Sequence, residues 1–220
     1  MEKIIDEISQ IVKNNKISAT EWRYISQQIR IQNKLVVPKR AKKLPDFLNS
    51  AEIYHLLNIS SKDNFTGVLV EFLIFTGLRI SEASKIMIQD IDFNNNQLKV
   101  VEGKGLKDRQ VPITNNLLHK IKLFIDKRRS GYLFCKSDDK PYTTRALQIR
   151  VTDAIKLCGF DKSLSTHSLR HTFACLCLAR GMNIEQIKLL MGHSSIKTTE
   201  IYAKLELGSV KEKFLQLMHN

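Results

Sequence analysis

The chain has 220 residues, 43% of them hydrophobic and 26% charged, enough for one sizeable core that holds without disulfide or metal staples. Its 35 Lys and Arg against 22 Asp and Glu leave a formal charge of +13, which points to a polyanionic partner, nucleic acid ahead of a membrane surface. No apolar run reaches the length of a membrane span, and the charged opening MEKIIDEISQ lacks the apolar core of a signal peptide, so a cytoplasmic protein is expected.

Residues 1–33 read as two short helices. The first carries Ile4, Ile5, Ile8, Ile11 and Val12 on one stripe, and the second opens on a capping box from Ser18 to Glu21. The following KLVVPKRAKKLPDFL sets Lys39, Arg40, Lys42 and Lys43 between Pro38 and Pro45, a composition that resists helix and favours an extended basic strap suited to crossing a phosphate backbone. This linker divides a short N-terminal helical segment with its strap, residues 1–44, from a larger domain, residues 45–220.

In the larger domain, Ser50 is placed to cap a helix through Leu57. A second helix is expected from about Phe65 to Thr76, stopped by Gly77, and Ser81 starts the next. After the polar turn DIDFNNNQ, residues 97–113 form an expected hairpin: QLKVV alternates like a strand, GKGLKDR cannot hold one, and QVPI resumes it. Its loop carries Lys104, Lys107 and Arg109, and Lys107 and Arg109 are expected, like the strap residues, to contact DNA. Helices are expected at 115–129 and 143–158, and the remainder is helical, punctuated by Gly181 and Gly192. The fold class that results is mostly α with a small antiparallel β-sheet, an α+β arrangement.

Cys135, Cys158, Cys175 and Cys177 show no CxxC pairing, so neither a zinc site nor a disulfide framework is indicated. In THSLRHTFA, residues 166–174, His167, Arg170 and His171 stand at i, i+3 and i+4, and their polar ends emerge from roughly one helical face. The two histidines have the spacing of a helical metal pair, but the arginine between them opposes a cation. The face is built to meet an anion.

Four scattered pieces line up: TGLRISEA at 76–83, VEGKGLKDRQVPI at 101–113, THSLRHTFA at 166–174, and LLMGHSSIKTTEIYAK at 189–204. In order and local sequence they resemble the catalytic domain of the tyrosine recombinases, also called the phage integrase family, over roughly residues 45–205. The resemblance implies a site-specific recombinase that cleaves and rejoins double-stranded DNA. Arg79 and Arg170 would grip the scissile phosphate, with His167 beside them. Lys104 would match the family's lysine, His193 its second histidine and Tyr202 its nucleophile. Glu82 matches an acidic position that buttresses the first arginine.

The chemistry asks for these residue types. Phosphoryl transfer from a diester gathers negative charge on the non-bridging oxygens, which guanidinium forks receive without losing their own charge. A phenol is a poor nucleophile at neutral pH, so it needs an acceptor such as His167 and a positive field. The departing 5′ oxygen needs a proton, which a lysine beside the phosphate can give. No cofactor or metal is then required.

The resemblance also implies a tetramer on paired DNA sites, from a protein that is a monomer or weak dimer without DNA and is nucleoid-associated in the cytoplasm. In the tail LELGSVKEKFLQLMHN, Val210, Phe214, Leu217 and Met218 fall on one stripe after Gly208, which either docks on its own subunit or, as the resemblance favours, passes to a neighbour. Family members carry a full helical domain before the catalytic one. Here two short helices precede it, so that clamp is expected to be reduced, supplied by another chain, or absent. Two other readings keep part of the pattern: a type IB topoisomerase-like nicking-closing enzyme, and a non-catalytic DNA-binding regulator derived from a recombinase.

Overall fold

The computed structural model describes residues 2–35, 46–101, 108–136 and 140–192. The chain divides into two units, Met1–Lys43 and Leu44–Asn220. The first holds helices α1 (Glu2–Asn14) and α2 (Ala19–Gln32). The Ser18 capping box forms: Ser18 Oγ accepts from the Glu21 N–H at 3.3 Å, and the Glu21 carboxylate accepts from the Ser18 N–H at 2.8 Å. Neither helix buries a residue, so the stripe of Ile4, Ile5, Ile8 and Ile11 lies exposed.

The second unit begins with α3 (Ser50–Ser60), capped one residue earlier than the sequence suggests. Asn49 accepts from the Glu52 N–H at 2.9 Å while Glu52 accepts from the Asn49 N–H at 2.8 Å, which leaves Ser50 as the first helical residue. Helix α4 (Asn64–Thr76) is apolar on every side, and Val68, Leu69, Val70, Phe72, Leu73 and Ile74 are all buried. Such a helix belongs at the centre. It packs against α3, α6 (Asn115–Ile125), α7 (Thr144–Leu157) and α8 (Thr166–Ala179). Between α4 and α6 lie the one-turn helix α5 (Ile80–Ala83) and the sheet, and α9 (Ile184–Met191) follows α8. Among the described residues no helix is long and apolar enough to cross a membrane.

The sheet is antiparallel in the order β1-β2-β3: β1 (Ile91–Asp92), β2 (Gln97–Val100) and β3 (Arg109–Pro112). The hairpin forms where the alternation places it, with Leu98 opposite Val111 and Val100 opposite Arg109. Strand β1, read from sequence as part of a polar turn, has two residues, too few for a period to show; buried Ile91 pairs with Leu98. Helix α6 stops four residues short of the expected 129, because Asp126 at its end turns to φ +49.

Gly77 ends α4 at φ +65, in the left-handed region. A Cβ there would stand 2.3 Å from Phe173 Cδ1 on α8. Gly77→Ala therefore adds backbone strain to overpacking, and it is expected to destabilise the domain by roughly 2–4 kcal/mol. A urea midpoint unchanged from that of the parent chain would contradict this account of the α4–α8 contact.

Candidate functional site

The site gathers at one carboxylate. Arg79 occupies the N-cap position of α5, which begins at Ile80, one residue ahead of the expected Ser81, and its own N–H donates to Glu82 Oε2 at 2.7 Å. Its Nη1 meets Glu82 Oε1 at 2.8 Å. From β3, Arg109 Nη2 reaches Glu82 Oε2 at 3.0 Å and its Nη1 reaches Oε1 at 3.3 Å. From α8, Arg170 Nη1 lies 3.7 Å from Oε2. Burial opposes ionisation of Glu82. Hydrogen bonds from Arg109 and the Arg79 backbone, with the charges of Arg109 and Arg170, outweigh it and hold the carboxyl below its ordinary range.

Arg170 is also held by two helix ends. Its Nη1 donates to the Gly77 carbonyl closing α4 at 2.7 Å and its Nη2 to the Met191 carbonyl closing α9 at 2.6 Å. Helix C-termini carry partial negative charge, so both stabilise the cation. The Arg170 side chain is only 2% exposed, whereas that of Arg79 is 37% exposed and reaches the Gly192 carbonyl at 3.4 Å. Arg79 is thus the outward face of a positive cluster that Arg170 underlies. An open groove of about 560 Å³ leads away from Arg79 past Ser81, Lys85 and Tyr132 to Val101, at the root of the hairpin loop.

His167 and His171 stand one turn apart on α8, the first exposed and the second 7% exposed, with ring centroids 4.9 Å apart and planes at 88°. Partial burial, with the charges of Arg170 and Arg79, lowers the pKa of His167. Burial first, then His167 and Arg170, pushes His171 down to about 4. Both rings are therefore neutral at physiological pH, and His167 is free of a proton it can accept. Among the described residues no group of three His, Cys, Asp or Glu could hold a metal ion. Burial raises the Cys175 and Cys177 thiols to about 11, which leaves them inert.

The structure brings Arg79, Glu82, His167 and Arg170 together from separate segments. Arg109 differs from its expected place as a phosphate contact on the hairpin loop: it begins β3, its side chain is 9% exposed, and its guanidinium is turned inward to Glu82 and to the Leu190 carbonyl at 2.8 Å. The signal was present in the alternation. Arg109 stands two residues before buried Val111 and opposite buried Val100, on the face that points inward. Lys104, Lys107, His193, Tyr202 and the strap residues Lys39, Arg40, Lys42 and Lys43 lie outside the described residues.

The described residues form a mostly helical domain with a small sheet, in which three guanidiniums meet one mostly buried carboxylate beside neutral imidazoles, a positive cluster with the chemistry to receive an anion. The chain belongs to the phage integrase family, whose model matches residues 46–207. It is 38% identical over 168 residues to a tyrosine recombinase of Pseudothermotoga lettingae, covering 75% of this chain and 58% of that one. The chain thus spans less than two thirds of that relative's length. The crystal structure of XerA recombinase superposes with a TM-score of 0.70 at 27% identity, over 96% of this chain and 81% of the other. XerH site-specific recombinase in a pre-cleavage complex with difH substrate matches at 0.63 and 26%, over 79% of this chain and 56% of that one.

Proposed function

We propose that this chain is a site-specific DNA recombinase that cleaves and rejoins DNA strands through a 3′-phosphotyrosyl intermediate at Tyr202. The observation that carries the reading is the arginine cluster on Glu82, open to solvent through Arg79 and flanked by neutral His167. Arg79 receives the scissile phosphate directly, and Arg170 adds its charge at short range from beneath, where low dielectric strengthens the attraction. His167 takes the phenol proton of Tyr202, and Lys104 protonates the departing 5′ oxygen, with His193 completing the set. The covalent bond stores the energy of the broken one, so rejoining needs neither nucleotide nor metal. Family membership and the complex of XerH site-specific recombinase with its difH substrate support duplex DNA as the partner. Incubation with nicked suicide DNA and separation on denaturing gels tests the reading: a covalent adduct is expected, and its absence on every recombination site offered would overturn it.

Two further parts of the proposal concern assembly. Lys39, Arg40, Lys42 and Lys43 would contact phosphates, contributing to a nucleoid-associated cytoplasmic protein's hold on DNA. The C-terminal stripe Val210, Phe214, Leu217 and Met218 would pass to a neighbouring copy and link a tetramer on paired sites. An apolar groove of about 360 Å³, lined by Phe75, Ile113, Phe173, Leu176, Met182 and Leu190, has the size and chemistry to receive such side chains. Truncation after Leu207 is expected to leave a folded, DNA-binding protein that sediments without the tetramer. Tetramers persisting on paired sites would overturn the exchange.

A further inference from the structure

We propose that His171 is a positioning residue for cleavage, its buried ring steadying the imidazolium that His167 becomes when it accepts the Tyr202 proton. The inference rests on the role given to His167 above. Three guanidiniums already crowd the site, and partial burial, with the charges of Arg170 and Arg79, weakens His167 as a base. In the cleavage step the phenol O–H bond breaks and its proton moves to the His167 imidazole. The phenolate oxygen then bonds to phosphorus, the bond from phosphorus to the 5′ oxygen breaks, and that oxygen takes its proton from Lys104. For the lifetime of the step His167 adds a further positive charge, and something must offset it.

The ring placed to do so is His171. It meets His167 edge-to-face at 4.9 Å, a geometry in which an aromatic ring interacts favourably with a cation or with a polarised N–H. His171 does not compete for the proton, since burial and the charges of His167 and Arg170 keep it neutral down to about pH 4. Nor is it loose. It lies between buried Arg170, fixed by the Gly77 and Met191 carbonyls, and buried Thr172, whose Oγ1 accepts from the Leu48 N–H at 3.0 Å. Among the described residues, the charged groups that bear on the histidine pair are Arg170 on α8 and Arg79 at the start of α5, with Glu82 joining both.

The test compares the full chain with its His171→Asn, His171→Phe and His167→Ala variants, following single-turnover cleavage of nicked suicide DNA against pH. His171→Asn removes the ring. It is expected to bind DNA as the parent does, to cleave about tenfold more slowly, and to have the acid limb of its rate profile moved to lower pH, because His167 becomes a weaker base. His171→Phe keeps the ring and is expected to restore most of the rate with the limb in place. Should the Asn variant not hold its fold, His171→Leu is read in its place with the same expectations. Parent-like cleavage by the ring-deleting variant, or slower cleavage with an unmoved limb and no rescue by Phe, overturns the inference alone. Parent-like cleavage by His167→Ala would instead overturn the role of His167 and this inference with it.

Discussion

Glu82→Gln is expected to lower the unfolding free energy by about 3 kcal/mol and to slow DNA cleavage by roughly 100-fold or more. The carboxylate is the common partner of Arg79, Arg109 and Arg170, and its side chain is only 12% exposed. Removing its charge while keeping its shape leaves three cations facing one another in a site of low dielectric. Arg170 keeps its helix-end carbonyls, but Arg79 and Arg109 lose their main anchor and spread apart. The sign of the pH dependence follows from the depressed pKa of Glu82. Its contribution to stability is fully present above the ordinary carboxylate value of 4.5 and is lost as pH falls through its lowered value. The stability gap between parent and variant is therefore expected at neutral pH and should close in acid. Urea titrations at several pH values check it, and coincident midpoints at neutral pH would contradict the assignment of Glu82 as the hub.

Tyr202→Phe carries the second large effect. The change removes one oxygen, so folding and gel-shift affinity should match the parent, while covalent adducts fall below detection and strand rejoining disappears with them. Arg79 and Arg170 would still hold the phosphate, and so the variant should trap a DNA complex without cleaving it. Adducts that persist would remove Tyr202 from the role.

Much of the helical frame was legible because its signals are local. The Ser18–Glu21 capping box, the stop at Gly77 and the end of α9 at Gly192 each depend on a few neighbouring residues, and each sits where the sequence suggests. Errors of one residue arose where two capping groups adjoin, as with Asn49 and Ser50, or where the cap is unusual, as with Arg79 ahead of α5. Strand β1 was invisible because two residues show no alternation.

The site divides in the same way. Arg79 and Glu82 share one turn and His167 and Arg170 share another, so their motifs are readable. That the two turns meet over one carboxylate is a property of α4 and α8 packing. Arg109 was misplaced because glycines and lysines before it read as loop, although its spacing from Val111 already put it inside. The Gly77 and Met191 carbonyls that hold Arg170 leave no mark in the sequence, since every residue has a carbonyl.

The central claim is a covalent link between DNA and Tyr202, and peptide mapping of the trapped adduct tests it most directly. The parent chain is incubated with a nicked suicide substrate, and the adduct is digested with nuclease and protease and read by mass spectrometry. The account predicts one modified peptide, carrying a 3′-linked nucleotide on Tyr202. A nucleotide on any other residue, or cleavage that proceeds without a covalent adduct, would contradict it.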